Sequence, residues 1–210
     1  MKIAIICIAL LGSGVAVFSP DGQAAIVKAH NELRSAVATG TYVAKGKHLS
    51  SASDMMEMFW DDNLAESAQR LADQCRKGHS ESKHKDYGEN TYTGFSSKEI
   101  EDLDSYGVMA SKKWEDEFQK FGWLTNTYTN KTKPFGIGHA TQMIWSKSNR
   151  VGCGAKSCGP VPKKRMNKVV VVCQYKVRGN YIDELIYEEG NTCSACPAAS
   201  SCETESGLCA

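Results

Sequence analysis

The sequence of 210 residues has the composition of one globular domain, with 41% hydrophobic and 23% charged residues. This composition excludes a fibrous or disordered chain. The 25 Lys and Arg residues nearly balance the 24 Asp and Glu residues, for a formal net charge of +1, so charge gives no reason to expect a nucleic acid or an anionic membrane as partner.

The N-terminus has the pattern of a secretory signal peptide. Lys2 precedes an apolar run over residues 3–11, and small residues follow as far as Ala16. The run is shorter than the roughly 20 apolar residues that span a bilayer, and we find no later candidate. We therefore predict a secreted, extracellular protein with no integral membrane segment, cleaved after Ala16 or after Ser19.

The cysteines support the same compartment. The chain has nine, and Cys7 leaves with the signal peptide, so eight remain. An even number of cysteines in an oxidising compartment predicts four disulfides rather than free thiols. The eight are Cys75, Cys153, Cys158, Cys173, Cys193, Cys196, Cys202 and Cys209.

Apolar residues at helical spacing predict three amphipathic helices, over residues 24–37, 62–77 and 105–121. A polar loop over residues 126–133 follows the third helix. This loop holds the sequon Asn130-Lys131-Thr132, which predicts a glycosylated, exposed asparagine at Asn130.

One strong strand follows in the second half of the chain. Residues 168–176, KVVVVCQYK, form an apolar run of strand length with high β propensity, which predicts a strand buried on both faces. Residues 151–155 and 182–187 are weaker strand candidates. Together with the helices, these strands predict a central sheet covered by helices on both sides.

The composition changes from Gly190 onward. The last part of the chain holds four cysteines and almost no large apolar side chains, so it cannot bury a core of its own and needs disulfides for its stability. We therefore divide the chain into a signal peptide at 1–19, a main domain at 20–189 and a cysteine-rich tail at 190–210.

His139, in the segment GHATQMIW, is the first candidate for chemistry. It lies in the first turn of a possible helix over residues 138–147. A zinc-protease helix would need a second histidine where Met143 stands, so that motif is absent.

Three further residues are candidates for a site. His79 and Glu89 lie ten residues apart, a spacing that a structural pair and a functional site both allow. In the third predicted helix, Glu117 lies three residues after Trp114 and therefore shares its apolar face. A carboxylate placed there usually needs a partner.

Four segments in this order resemble the CAP superfamily of secreted proteins: HNELRS, GHS followed by GEN, GHATQMIW, and VVVVCQYKVRGNY. The likeness is greatest to the single-domain activation-associated secreted proteins of nematodes, also called venom allergen-like proteins, and covers about residues 22–188. It implies an α+β fold, a three-layer α-β-α sandwich, with a large cleft that holds two histidines and two glutamates.

Carried over motif by motif, the resemblance places His79, Glu89, Glu117 and His139 in this cleft. It implies that His79 and His139 bind Zn²⁺ or another divalent cation, while Glu89 and Glu117 orient the histidines or bound water. Two neutral protein ligands make such a site weak and leave coordination positions open.

The resemblance also implies how the cysteines pair. A redox or zinc reading of Cys193-Ser-Ala-Cys196 is disfavoured by the secretory context. The implied disulfides are Cys75–Cys158, Cys153–Cys173, Cys193–Cys202 and Cys196–Cys209.

Three functions are compatible with these residues. Covalent hydrolysis needs a nucleophile held against a base, and the chain offers neither a G-x-S-x-G turn nor a free cysteine; Ser80 beside His79 is a poor substitute. We therefore expect a non-enzymatic parasite effector, monomeric or dimeric, that binds host proteins or cell-surface components. One alternative is a sterol or lipid carrier, because some family members bind sterols through an apolar loop, which corresponds to residues 121–134. The other is a metal-dependent hydrolase in which Glu89 or Glu117 polarises a metal-bound water.

Overall fold

A computed structural model describes residues 17–80 and 86–210. The signal-peptide prediction falls mainly on residues 1–16, outside the described residues. The helices are α1 (Pro20–Ala38), α2 (Asp62–Ala72), α3 (Leu103–Phe121) and α4 (Gly138–Met143), with a 3-10 turn at Lys133–Phe135. The strands are β1 (Val43–Ala44), β2 (Lys47–His48), β3 (Phe59–Trp60), β4 (Gly88–Ser96), β5 (Thr127–Tyr128), β6 (Arg150–Val161), β7 (Met166–Lys176), β8 (Glu184–Leu185), β9 (Cys202–Glu203) and β10 (Leu208–Cys209).

A four-stranded sheet in the order β3-β6-β7-β4 lies at the centre of the domain. Strands β4, β6 and β7 are antiparallel, and the short β3 is parallel to β6. β7 is the predicted strand, and its residues 169–175 are all buried. β4 is an edge strand, and its register with β7 pairs Glu89 with Gln174.

Helices cover both faces of this sheet. Val170 and Val172 of β7 pack with residues of α2 on one face. Val169 and Val171 point the other way, into the main core that α1, α3 and α4 share. This alternation gives the three layers that the resemblance implied, and the α-β-α sandwich is confirmed.

The local predictions differ from the structure in several places, and the possible helix over residues 138–147 ends at Met143. The strand over residues 88–96 was not predicted. The strand candidate at 182–187 shortens to the two residues of β8. The second helix ends at Ala72 rather than at residue 77, and Cys75 beyond it adopts a positive φ of 53° that a helix does not allow.

Arg34 ties helix α1 to the segment that begins with α4. Its side chain is fully buried, and burial lowers the pKa of its guanidinium to about 9. The guanidinium donates to five backbone carbonyls at 2.8–3.0 Å, those of Met56, Met143, Trp145, Ser146 and Ser148. These bonds fix the C-terminal end of α4 on the core.

The structure contains the four disulfides that the resemblance implies. Cys75–Cys158 joins the end of α2 to β6, and Cys153–Cys173 crosses the β6–β7 pair. Cys193–Cys202 and Cys196–Cys209 staple the tail. The tail also docks on the domain, because Leu208 is buried in the main core.

Candidate functional site

The four candidate residues come from four different parts of the fold. His79 follows α2, Glu89 is the second residue of β4, Glu117 lies on α3 and His139 is the second residue of α4. The structure brings both histidines together, with ring centroids 6.3 Å apart and ring planes 30° from each other. The site therefore lies at the Gly88 end of the edge strand β4.

Glu89 holds His79 in place. One carboxylate oxygen of Glu89 lies 3.1 Å from His79 Nδ1 and accepts the backbone N–H of Ser80 at 2.9 Å. The other accepts the side-chain amide of Gln174 at 3.1 Å. Only 2% of the Glu89 side chain is exposed, against 53% for His79. A buried, well-hydrogen-bonded carboxylate thus orients a ring that faces solvent.

Glu117 holds His139 in the same manner. Its carboxylate lies 2.6 Å from His139 Nδ1 and also accepts the backbone N–H groups of His139 and Ala140 at 3.0 and 3.1 Å. The residue before α4, Ile137, provides no side-chain cap, so Glu117 caps this helix from α3. Trp114, one turn earlier on α3, stacks on the His139 ring at 6.1 Å.

Both imidazoles present the same free atom. A carboxylate at Nδ1 places the proton on that nitrogen and leaves the lone pair on Nε2. Among residues 17–80 and 86–210, hydrogen bonds are found at Nδ1 of His79 and His139 and none at Nε2. Each ring therefore has one nitrogen available as a metal ligand.

The rings lie near the separation that a shared ion requires. Zn–N bonds of about 2.0–2.1 Å in tetrahedral geometry place the centroids of two imidazoles roughly 5 Å apart. The observed separation is 6.3 Å, so the rings would approach each other by roughly 1 Å on binding. No third His, Cys, Asp or Glu ligand completes a group around His79 and His139 in the described part of the chain. An ion held here would keep open coordination positions.

A second cluster of possible ligands, formed by three cysteines, is not a metal site. The sulfur atoms of Cys193, Cys196 and Cys209 lie within 4.8 Å of one another. All three are bonded in disulfides, and a disulfide sulfur lacks the thiolate charge that binds zinc.

A chain of buried hydrogen bonds connects the site to the core of the domain. Asn90 donates to the backbone oxygen of His139 at 3.0 Å and to the Tyr175 hydroxyl at 3.1 Å. Tyr175 in turn bonds to His30 Nε2 at 2.9 Å, while His30 Nδ1 bonds to the Ile26 oxygen. Burial lowers the pKa of His30 to about 4. His30, in the segment HNELRS, is therefore a neutral core residue.

Sequence reasoning missed two residues that build the site, Asn90 and Gln174. Gln174 gave a signal, because it is a polar residue inside the apolar run of β7. Ser80 contributes its backbone N–H, but its Oγ is buried and has no hydrogen-bond partner among the described residues. No Ser80–His79 nucleophile and base pair is therefore formed.

Most of the large apolar side chains in the loop expected to bind lipid pack against the core. Over residues 121–134, Phe121 and Trp123 pack against the main core and Tyr128 is buried. Leu124 is the large hydrophobic residue that this loop exposes, at 44%. Asn130 is exposed, as the predicted glycosylation site requires, while Thr132 is buried; glycosylation itself stays a prediction.

A cleft of about 610 Å³ adjoins the site and shares Glu89 with it. Burial, followed by the charge of Glu117, raises the pKa of Tyr128 on its wall. None of the helices in residues 17–80 and 86–210 combines the length and apolarity of a membrane span.

Comparisons with known proteins agree with this architecture. Residues 27–175 match the family described as CAP, the cysteine-rich secretory protein family. Venom allergen 5 of Tityus serrulatus is 34% identical over 192 residues, which are 88% of this chain and 44% of that protein. The chain thus spans less than half the length of this relative.

Two solved structures superpose on nearly the whole chain. The crystal structure of NaASP2 with Zn²⁺ has a TM-score of 0.81 at 33% identity and covers 92% of this chain and 97% of its own. The structure of BmVAL-1 has a TM-score of 0.84 at 32% identity, with coverage of 93% and 97%. The four disulfides and the secreted relatives are consistent with an extracellular location. The family match, the shared sandwich and the sequence identity together show that this chain belongs to the cysteine-rich secretory protein family, CAP.

Proposed function

We propose that this protein is a secreted, non-enzymatic binding protein that holds a divalent cation between His79 and His139, beside the cleft that Glu89 also lines. The observation that carries the proposal is the pair of rings whose Nδ1 atoms are occupied by Glu89 and Glu117 and whose centroids lie 6.3 Å apart. The NaASP2 crystal structure with Zn²⁺ supports the choice of zinc as the first ion to test. As implied by the resemblance, we propose host proteins or cell-surface components as partners.

The site residues favour binding over catalysis. Hydrolysis by a metal-bound water needs a carboxylate free to take a proton. Here the Glu89 and Glu117 oxygens already accept hydrogen bonds from backbone, amide and imidazole donors. These carboxylates therefore act as fixed supports for the histidines, and the hydrolase alternative has less support than binding.

Isothermal titration calorimetry with ZnCl₂ tests the cation site. We expect one ion per chain for the protein as secreted, and loss of that binding in the double variant His79→Ala plus His139→Ala. His48→Ala, at an exposed histidine away from the cleft, is the matched control and should bind as tightly as the parent. Equal zinc binding by the parent and the double variant would refute the site.

The partner class needs a separate experiment. Fluorescently labelled protein should bind host leukocytes in a saturable manner, and excess unlabelled protein should compete. Saturable binding that survives in the double histidine variant would assign the contact to another surface of the protein. Absence of saturable binding to host cells or to proteins captured from host serum would contradict the effector proposal.

A further inference from the structure

Two basic residues line the cleft beside the histidine site. They are Lys133, in the 3-10 turn, and Arg178, in the segment after β7. Neither forms an ion pair with a carboxylate among the described residues, and the Arg178 guanidinium lies 4.9 Å from the centre of the Tyr181 ring. Against these two basic side chains, the residues that line the cleft include one carboxylate, Glu89, which accepts hydrogen bonds from His79 and Ser80. The cleft therefore has an excess of positive charge.

The segment that carries Arg178 is fixed on helix α4. Gly179 donates its N–H to Gln142 Oε1 at 2.9 Å, and a Cβ at Gly179 would lie 2.7 Å from the Trp145 ring, so only glycine fits. Asn180 donates to the Gly138 oxygen at 2.7 Å and accepts from the Thr141 hydroxyl at 2.8 Å. The backbone that carries Arg178 is thus fixed on the helix that carries His139, which lowers the entropic cost of binding a ligand.

Part of the remaining wall is aromatic and aliphatic, beside the polar side chains of Gln142 and Asn180. Tyr87, Tyr128, Tyr181 and Ile182 line the cleft, and Tyr181 and Ile182 expose more than a third of their surface. Such surfaces bind apolar groups, and the volume of about 610 Å³ lies in the range of small-molecule sites.

We propose that this cleft binds a small organic anion. Its carboxylate or sulfonate head lies between Lys133 and Arg178, and its apolar body lies on the wall formed by Tyr87, Tyr181 and Ile182. The inference rests on the proposed function in one respect, since it assigns a ligand class to the cleft beside the proposed cation site. Lys133 and Arg178 would supply the charge-assisted hydrogen bonds, and the aromatic wall would select against small inorganic ions.

Calorimetry in low salt with EDTA tests this inference without any metal. The two organic anions are 3-phenylpropionate, a carboxylate, and naphthalene-2-sulfonate. The uncharged analogue is 3-phenylpropan-1-ol, and inorganic sulfate is the anion that has no apolar group. We expect at least one of the two organic anions to bind at least tenfold more tightly than the alcohol and than sulfate, with an affinity that falls as salt is added. Whichever of the two organic anions binds more tightly identifies the preferred head group, carboxylate or sulfonate.

The variant Lys133→Met plus Arg178→Gln should weaken binding of that anion at least tenfold. The matched control, Lys131→Met plus Arg70→Gln, removes the same charge from exposed positions that do not line the cleft and should bind within twofold of the parent. Equal binding of the alcohol and the anion, equal binding of inorganic sulfate, unchanged binding in the Lys133 and Arg178 variant, or no binding of either organic anion at millimolar concentration would overturn the inference.

The same titration separates this inference from the cation proposal. In the presence of EDTA, the double variant His79→Ala plus His139→Ala should still bind the anion within threefold of the parent, because neither ring is among the residues that line the cleft. Loss of zinc binding with retained anion binding supports both claims. Loss of anion binding in this folded variant would overturn the anion site and leave the zinc titration to be judged alone.

Discussion

At the scale of single residues, two glutamates decide what the two histidines can do. Glu89 is buried on an edge strand and Glu117 lies on a helix face, yet each places its carboxylate on an imidazole Nδ1. Such a contact fixes the ring orientation and raises the basicity of the other nitrogen. The histidine site therefore presents two Nε2 lone pairs on rings that cannot turn freely.

Replacement of Glu117 tests this support. Glu117→Gln removes the charge that faces His139 Nδ1 and the N-terminus of α4. We expect zinc affinity to fall about 10- to 100-fold and the free energy of unfolding to fall by about 1 kcal/mol, measured by calorimetry and urea titration. Glu115→Gln, at a surface ion pair with Lys112, is the control and should change neither. Zinc affinity within twofold of the parent in Glu117→Gln would contradict the orienting role.

His30 makes the stability of the fold depend on pH. Burial holds its pKa at about 4 in the folded state, against about 6.5 in the unfolded chain. Above pH 6.5 both states are neutral and His30 contributes no pH dependence. Between pH 6.5 and 4 only the unfolded state takes up the proton, so the free energy of unfolding should fall by up to about 1.4 kcal/mol per unit of decreasing pH.

Urea titrations at pH 7, 6, 5 and 4.5 measure this slope. His30→Gln should be less stable at pH 7, because it disturbs the bonds to Ile26 and Tyr175, but its stability should fall less steeply with decreasing pH. His48→Gln, at an exposed histidine, should keep the parent slope. A His30→Gln slope equal to that of the parent would assign the acid sensitivity to other groups.

At the scale of secondary structure elements, α4 is a short helix that its neighbours hold. Glu117 caps its start and Arg34 binds the carbonyls that follow its end. A helix of six residues has little stability of its own. The position of His139 on α4 therefore depends on the contacts that α1 and α3 make with this helix.

Arg34→Met tests this dependence. It would leave five carbonyls, four of them in buried hydrogen bonds, without their charged donor. We expect a loss of at least about 3 kcal/mol of unfolding free energy, measured by urea titration. Arg70→Met on the exposed face of α2 is the control, with an expected change within about 0.5 kcal/mol. A loss below about 1 kcal/mol in Arg34→Met would mean that these carbonyls find other donors.

The start of α1 favours one of the two signal-peptide cleavage sites that the sequence predicts. Phe18 is 1% exposed and packs edge-on against Trp60, and Ser19 Oγ accepts the N–H of Gly22 as the N-cap. Cleavage after Ser19 would remove both residues, whereas cleavage after Ala16 keeps them. We therefore predict that the mature protein begins at Val17, which N-terminal sequencing or intact mass of the secreted protein would measure. A mature chain that begins at Pro20 would contradict this prediction.

At the scale of the whole molecule, the parts with strong local periodicity were predictable. The helix expected at 105–121 is α3, Leu103–Phe121, and the apolar run at 168–176 is β7. The prediction missed β4 because its buried residues include polar ones such as Asn90. Tertiary contacts stabilise this strand, since Trp114 of α3 donates its Nε1–H to the Thr91 oxygen. Strand identity here depends on packing as much as on composition.

The site was less accessible to local reasoning than the fold. Glu117 and His139 are twenty-two residues apart and meet only because α3 packs on α4. The tetrad therefore came from the family resemblance rather than from spacing. Lys133 and Arg178 gave no signal at all, since only the fold brings them to one cleft.

A crystal of the protein soaked in ZnCl₂, with anomalous diffraction collected at the zinc edge, tests the central claim most directly. We predict one anomalous peak between the two rings, about 2.0–2.1 Å from Nε2 of His79 and of His139, with water in the remaining positions and both Nδ1 atoms still on Glu89 and Glu117. Absence of an anomalous peak between the two rings, or zinc bound through Nδ1 of either histidine, would contradict the account.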